Sequence, residues 1–276
     1  MARPKLIVID IDGTLIDSKT KLSPKVIDTI HRVTDDGALV TLATGRMVSA
    51  SQIYIDELKI DLPTIALNGA FVGWVGDSRE PIYHEPVSFE SSRAILRAAW
   101  DIDATLIFVC CDRAFGRNIS DLTAPALETW IVNISPLDDI DLIDGIEPTA
   151  ILVAGEKSRV MTVKDATLSF GFEDITHYFF PSIRYYPMHY FEVRARGTDK
   201  GKGLAMLAEY LGISREEILA IGDYINDVPM AEIAGRFATP SNAHPEALTV
   251  ADYISPFSND ENAVADILEK LYFDKS

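Results

Sequence analysis

The sequence predicts an α/β protein whose parallel-sheet core is assembled from both ends of the chain, with an α+β segment inserted between them. Three observations carry this prediction. Apolar runs such as Leu6-Ile7-Val8-Ile9 and Ile218-Leu219-Ala220-Ile221 read as strands buried on both faces. Stretches of helical periodicity alternate with such runs towards both termini. In the middle the alternation breaks, and shorter, hairpin-like patterns take over.

Residues 5–9 form the first expected strand. Ser23-Pro24 marks a helix start, with serine as N-cap and proline at the first helical position. Val26, Ile27, Ile30 and Val33 follow at helical spacing, and Asp36-Gly37 ends the helix. Residues 38–43 read as a second strand that runs into Thr44-Gly45-Arg46. A helix is expected over 47–58 and a third strand over 64–67, ending at Asn68-Gly69. This β-α-β-α-β rhythm implies a parallel sheet with right-handed crossovers.

From Phe71 the pattern changes. Residues 71–75 and 81–84 read as a hairpin around Gly76-Asp77, and 88–100 as a helix. Strands are expected over 104–111, 149–154 and 185–193. The alternation returns after Gly197, with a helix over 201–211 that Gly212 ends. A strand over 218–221, a helix over 226–234, a short strand over 251–254 and a helix over 263–271 complete the reading. The expected division is a core of residues 1–85 and 189–276 and an insert of residues 86–188.

With 276 residues the chain suits one large or two modest domains. Folding such a length buries about 70–75% of the unfolded surface, so no disulfide staple is required. The two cysteines, Cys110 and Cys111, are neighbours in an apolar run and bridge poorly. Buried reduced thiols and a reducing cytoplasm are expected. No segment approaches the apolar length of a membrane span, and Met1-Ala2-Arg3-Pro4-Lys5 runs into a strand without the pattern of a signal peptide. The net charge of -17 opposes non-specific binding to nucleic acid or anionic membranes. It leaves an anionic small substrate open, given a local cation with Arg46 and Lys200. The five histidines lack HExxH or HxxxH spacing, and no GxxxxGK[ST] loop is present, so neither zinc nor P-loop nucleotide binding is indicated.

Four separated segments have the chemistry of one phosphate-handling site. Asp10 and Asp12 lie at the carboxyl end of the first expected strand, where open α/β sheets hold their ligands. They share a face unless the backbone bends after Asp10. Carboxylate oxygens suit Mg²⁺, which takes few protein ligands and keeps waters and a substrate phosphate. Asp223 ends another expected strand and can join them. A carboxylate beside a divalent cation stays ionised and can attack phosphorus, while a second exchanges protons with the leaving oxygen. Thr44-Gly45 offers a hydroxyl and a backbone N–H just before the expected helix, and Lys200 a mobile positive charge. Taken singly, each has a plainer reading: a strand-end turn, a surface lysine, acidic groups at a helix start. Their joint occurrence on one expected sheet carries the inference.

At these residues the chain resembles the haloacid dehalogenase superfamily, and within it the Cof-type, subfamily IIB phosphatases. Ile9-Asp10-Ile11-Asp12-Gly13-Thr14-Leu15 matches the first motif, Ala43-Thr44-Gly45-Arg46 the second, and Asp199-Lys200-Gly201 the third. Gly222-Asp223-Tyr224-Ile225-Asn226-Asp227 matches the fourth, and Asn68-Gly69-Ala70 and Ser241-Asn242-Ala243 resemble two further segments. The resemblance implies a Rossmann-like core with an inserted cap of the C2B type. It implies Asp10 as a nucleophile that forms an aspartyl-phosphate, and Asp12 as general acid and then base. Mg²⁺ would be held by Asp10, Asp223 and the backbone carbonyl of Asp12. Thr44, Gly45, Lys200 and Asn226 would hold the phosphate, with Asp227 and Arg46 supporting the site from behind.

The implied protein is a cytoplasmic, Mg²⁺-dependent phosphatase of small phosphorylated metabolites, commonly sugar phosphates. It would be a monomer or small homo-oligomer, with neither nucleic acid nor membrane as partner. In the insert, Arg113, Arg117, Tyr178, Arg184, Tyr185, Tyr186 and His189 are candidates for reading the leaving group, Arg184 foremost. Two loops depart from the family pattern, at Ala238-Thr239-Pro240-Ser241-Asn242-Ala243 and at Asp260-Glu261-Asn262-Ala263, which lacks a glycine. The motifs leave open phosphoryl transfer to a second substrate, as in phosphomannomutases. A non-catalytic ligand-binding module and a phospho-accepting signalling domain are further alternatives.

Overall fold

The computed structural model describes residues 3–274 apart from 75–78, 129, 144–145 and 183–184. In chain order, β1 (Leu6–Ile9), α1 (Pro24–Asp35), β2 (Leu39–Leu42), α2 (Gln52–Leu58), β3 (Thr64–Ala66), β4 (Phe71–Gly73) and β5 (Tyr83–His84) come first. Then follow α3 (Phe89–Trp100), β6 (Thr105–Cys110), β7 (Arg113–Arg117), α4 (Ala124–Leu127), β8 (Ile134–Pro136), β9 (Ala150–Glu156), α5 (Lys157–Ser169), β10 (Ile175–Pro181) and β11 (Met188–Ala195). The chain continues with α6 (Lys200–Leu211), β12 (Ile218–Ile221), α7 (Val228–Ile233), β13 (Arg236–Thr239), α8 (Pro245–Val250), β14 (Tyr253–Ile254) and α9 (Ala263–Leu268).

Two compact units result. One comprises the described residues of Met1–Gly45, Ser51–Tyr83 and Asp199–Ser276, the other Arg46–Ala50 and His84–Thr198. The first is built on a parallel sheet of order β14-β13-β12-β1-β2. Its central strand explains the unbroken apolar run. Ile7 and Ile9 face a cluster with Ile30, Val33, Val264 and Ile267, whereas Leu6 and Val8 face Leu204, Leu207, Met230 and Phe237. Alternate residues are thus buried on opposite sides. β1 hands the chain to β2 on one side, while β12 flanks it on the other. The loops leaving β1 and β12 therefore diverge at the carboxyl edge, where such sheets form a crevice. Helix α1 starts as expected, with Ser23 Oγ accepting from the Val26 N–H at 3.2 Å.

The second unit carries a mainly antiparallel sheet of order β10-β11-β9-β6-β7-β8, with β7 and β8 parallel. Phe108, Ile151, Val153, Phe191 and Val193 from one sheet face pack against Ile95 and Leu96 of α3 and Val160 and Val163 of α5.

The structure corrects the expected elements in several places. The insert is expected to end at residue 188, inside the strand expected over 185–193; that strand, β11, pairs with β9 and β10 along its length, and the second unit extends to Thr198. Residues 46–50 also group with that unit, through contacts such as the Met47 N–H donating to the Trp130 carbonyl at 3.0 Å. The third expected strand meets the parallel sheet through the isolated Ala43–Ile65 bridge rather than a continuous ladder, and pairs antiparallel with β4. The expected helix over 47–58 is regular only from Gln52. β7, β8, β10 and β13 are additional strands. The turn expected around Gly76-Asp77 lies outside the described residues. Cys110 and Cys111 are free thiols, half-buried rather than buried, and burial pushes Cys110 up to about 11. Among the described residues no helix is long and apolar enough to cross a membrane.

Ile7 is fully buried in the central strand. Ile7→Ala should lower stability by about 3 kcal/mol, read as a lower urea midpoint for the unit built on β1.

Candidate active site

The site begins where β1 stops. The Asp10 N–H still donates to the Ile221 carbonyl at 2.8 Å, so its Cα is held in line with the sheet. The backbone then leaves in one wide turn over Ile11–Leu15. Gly13 sits in that turn at φ +81°, and a Cβ there would come within 2.4 Å of Asp223 Oδ2. Only glycine satisfies both the backbone angle and this close approach. The turn separates the two aspartates: Asp10 is 5% exposed, whereas Asp12 projects into an exposed position. The alternative of a shared face is thereby excluded.

Asp223 follows β12, on the other side of the crevice. Its Oδ1 accepts from Thr14 Oγ1 at 2.8 Å, joining the loops after β1 and β12. Lys200 is the first residue of α6, which Asp199 caps by accepting from the Lys202 N–H at 2.8 Å. The loop Leu67–Gly69 presses against this helix start, with Gly69 at φ +89°. A Cβ on Gly69 would lie 1.9 Å from the Asp199 carbonyl oxygen.

Lys200 was expected to be mobile. It is 1% exposed, and its Nζ donates to Asp10 Oδ1 at 2.5 Å and to Asp227 Oδ1 at 2.6 Å. Asp227 Oδ2 accepts from the N–H groups of Asp223 and Tyr224, at 3.0 and 2.9 Å. One fully buried carboxylate thus holds both the lysine and the loop that carries Asp223. Asn226 Nδ2 donates to Asn68 Oδ1 at 2.8 Å. Thr44 is buried, its N–H donating to the Ile65 carbonyl at 2.8 Å and its carbonyl accepting from the Asn68 N–H at 3.0 Å. Gly45 follows, close enough to Asn68 that a Cβ would lie 3.2 Å from that side chain. No helix starts directly after Thr44-Gly45: a 3-10 turn spans Ser49–Ser51, and α2 begins at Gln52.

Asp10, Asp223, Asp227, Lys200, Asn226, Thr44 and Gly45 therefore all lie in the first unit. Arg46 is buried but belongs to the Arg46–Ala50 segment of the second unit. Arg184 lies outside the described residues. Arg117 is engaged structurally: its guanidinium lies 4.0 Å from the Trp100 ring centroid, and its Nε donates to the Trp100 carbonyl at 3.3 Å. Three positioning residues had been assigned no role from the sequence: Thr14, Asn68 and Asn242. Asn242 Nδ2 donates to the Gly13 carbonyl at 3.0 Å, and its Oδ1 accepts from the Asn259 N–H at 2.9 Å. The signal was present in the quoted motifs, which contain all three.

Electrostatics concentrate negative charge here. One carboxylate oxygen each from Asp10, Asp223 and Asp227 lies within 4.8 Å of the others. Burial, reinforced by Asp227, raises Asp10 well above the usual carboxylate range, while Lys200 opposes the shift. Burial and then Asp227 lift Asp223 to about 6. Burial alone would lower Lys200; Asp10 and Asp227 outweigh it and raise the lysine above its ordinary value, so the ammonium persists. Three carboxylates against one ammonium suit a hard divalent cation with oxygen ligands. Asp227 lies within the cluster, but N–H donors engage both of its oxygens. Lys200 and Thr14 engage only Oδ1 of Asp10 and Oδ1 of Asp223, so these two carboxylates are the better candidates for a cation.

Two measurements check this electrostatic account. Lys200→Met leaves two buried carboxylates uncompensated and should cost about 3–5 kcal/mol of stability at neutral pH. Chemical denaturation of the metal-free protein reads it. A folded-state pKa of about 6 at Asp223, against 3.8 when unexposed to the fold, means that folding takes up a proton between these values. In chelator, this group makes the protein more stable as pH falls from above 6 towards 4. Asp223→Asn should raise the Tm of metal-free protein at pH ~7.5 and flatten that part of the pH profile. Divalent-cation affinity should show the opposite trend and weaken below pH ~6.

Comparison with known proteins fits this geometry. A model of the haloacid dehalogenase-like hydrolase family matches residues 7–268. A 5-amino-6-(5-phospho-D-ribitylamino)uracil phosphatase of Bacillus subtilis is 27% identical, aligned over 98% of this chain and 98% of its own. An HMP-PP phosphatase of Enterobacter is 25% identical, over 91% of this chain and 89% of its own. Among solved structures, a haloacid dehalogenase-like hydrolase from Bacteroides thetaiotaomicron superposes with a TM-score of 0.85 at 26% identity, covering 98% of this chain and 100% of that one. Since the family match runs from β1 to the end of α9 and takes in every residue of the buried cluster, the chain belongs to the haloacid dehalogenase-like hydrolases.

Proposed function

We propose that this phosphatase hydrolyses phosphate monoesters of small metabolites, sugar phosphates among them, with Asp10 as nucleophile and Mg²⁺ as its cation. The observation that carries this reading is the buried Asp10–Lys200–Asp227 cluster, with an ammonium 2.5 Å from a carboxylate at the end of the central strand. Such an ammonium favours the ionised, nucleophilic form of Asp10 and opposes the charge of incoming phosphate oxygens.

In the first step a carboxylate oxygen of Asp10 attacks phosphorus, and the bond from phosphorus to the leaving oxygen breaks. Asp12 donates its proton to that oxygen, leaving an aspartyl-phosphate. In the second step Asp12 takes a proton from water, whose oxygen attacks phosphorus. The bond from Asp10 to phosphorus then breaks, and inorganic phosphate and the free carboxylate return. The exposed setting of Asp12, outside the Lys200 cluster, supports its role as the proton carrier. Thr44, Gly45, Asn226 and Lys200 hold the phosphate. Asp10, Asp223 and the Asp12 backbone carbonyl would hold Mg²⁺, which neutralises phosphate charge when bound. Asp227 positions Lys200 and the 223–224 backbone.

Small phosphorylated metabolites as substrates are supported by the two curated relatives, named for a phosphoribitylamino-uracil and for HMP-PP. The net charge of -17 weighs against nucleic acid and anionic membranes as partners. Free Cys110 and Cys111 support a reducing cytoplasm.

Phosphate release from p-nitrophenyl phosphate and a sugar-phosphate panel should require Mg²⁺, stop in EDTA, and fall at least about 10³-fold in Asp10→Asn. Undiminished turnover in Asp10→Asn would remove the nucleophile assignment. Asp12→Asn should slow sugar phosphates about 10²-fold more than p-nitrophenyl phosphate in single-turnover assays. Nitrophenolate leaves without a proton, and a sugar alkoxide does not.

A further inference from the structure

The loop that carries Asp223 presents two consecutive large apolar side chains to solvent. Tyr224 is 50% exposed and Ile225 42% exposed, immediately beyond a carboxylate that is 9% exposed. A single exposed tyrosine on a surface needs no explanation. This one is unusually well anchored. Its own N–H is bonded to Asp227 Oδ2 at 2.9 Å, on the carboxylate whose other oxygen holds Lys200. Its ring meets His244 edge-on, with centroids 5.3 Å apart and planes at 71°. His244 is anchored to the same loop, its N–H donating to the Asp223 carbonyl at 2.7 Å. The Glu246 N–H donates to His244 Nδ1 at 3.3 Å, which orients the imidazole at the start of α8.

The phenol ring is thus braced from one side by an imidazole, while its backbone is tied to the group that fixes Lys200. The backbone that carries this flat surface directly follows Asp223 and shares Asp227 with Lys200. Aromatic rings stack on such a surface with little loss of conformational entropy, because a tyrosine has only two side-chain torsions. An aliphatic polyol gains much less from it.

We infer that Tyr224, braced by His244, is a specificity-determining residue that stacks against the leaving group and favours phosphate esters of aromatic or heteroaromatic alcohols. This rests on the phosphatase reading above and names the substrate class within it.

The test compares benzyl phosphate with glycerol 3-phosphate. Both are esters of primary alcohols, so the difference between them lies in the ring and not in the bond broken. kcat/KM is measured for each with wild type, Tyr224→Phe, Tyr224→Ala and His244→Ala, with Mg²⁺ present and folding checked by Tm. Tyr224→Ala should lower the benzyl-to-glycerol ratio of kcat/KM about tenfold, Tyr224→Phe should keep it, and His244→Ala should lower it about threefold. The loss should fall mainly in KM, as expected for a contact made equally in the ground and transition states. An unchanged ratio in Tyr224→Ala, with both esters still hydrolysed, overturns the inference and leaves the phosphatase reading standing. Failure of wild type to hydrolyse these two esters, p-nitrophenyl phosphate and the sugar-phosphate panel, in protein shown by calorimetry to bind Mg²⁺, overturns the reading itself and the inference with it; activity on the panel with none on benzyl phosphate overturns the inference alone.

Discussion

A primary ammonium sealed from water is tolerable only when carboxylates surround it, and Lys200 imposes that condition on the rest of the molecule. Its two partners come from opposite ends of the chain, Asp10 after β1 and Asp227 after β12. For both to meet one Nζ, β1 and β12 must be sheet neighbours and α6 must start directly beside their carboxyl ends. The parallel register of Leu6–Ile9 with Ile218–Ile221 meets the first condition, and the tight fit of Leu67–Gly69 against Asp199 the second. The apolar clusters on the two faces of β1 are what hold these strands in place. The fold and the charge cluster are therefore one constraint seen from two sides.

The same cluster explains the division of labour among four aspartates of similar intrinsic acidity. Both oxygens of Asp227 accept from N–H donors, and it acts as a structural tie. Asp10 and Asp223 are crowded and raised, so they gain most from positive charge brought to them. Asp12 is carried outward by the turn at Gly13 and remains in contact with solvent. Environment sets these differences, and one glycine at φ +81° separates the first carboxylate from the second.

Much of this was legible in the sequence because the informative signals were local. A run such as Leu6-Ile7-Val8-Ile9 is apolar throughout because both sides of its strand are covered, and a carboxylate just after it must stand at the sheet edge. Ser23-Pro24 specifies a helix start within two residues. What escaped reading depended on partners far along the chain. That Lys200 is held and not mobile is a fact about residues 190 positions apart. Strand β11 was recognised as a strand, but its sheet depends on β9 and β10, so the end of the insert was placed ten residues early. β13 begins with a half-buried arginine and is only four residues long, too short to declare a period. The helix expected over 47–58 is regular only from Gln52, because the first residues of that segment group with the second unit.

The discontinuity of the first unit has a consequence for how the protein is made. During synthesis β1 emerges early and gains β2 soon afterwards, but its other neighbour, β12, follows some two hundred residues later. Until then a fully apolar strand has an open edge, in a cell where extension adds about 5–20 residues per second. The second unit is nearly continuous in sequence and can close its own sheet within that interval. The nascent chain therefore carries a second unit able to close its sheet while the edge of β1 that β12 will cover still lies open. The reacting centre is completed only after the second unit has been made, since Lys200, Asp223 and Asp227 arrive together with the strand that covers that edge.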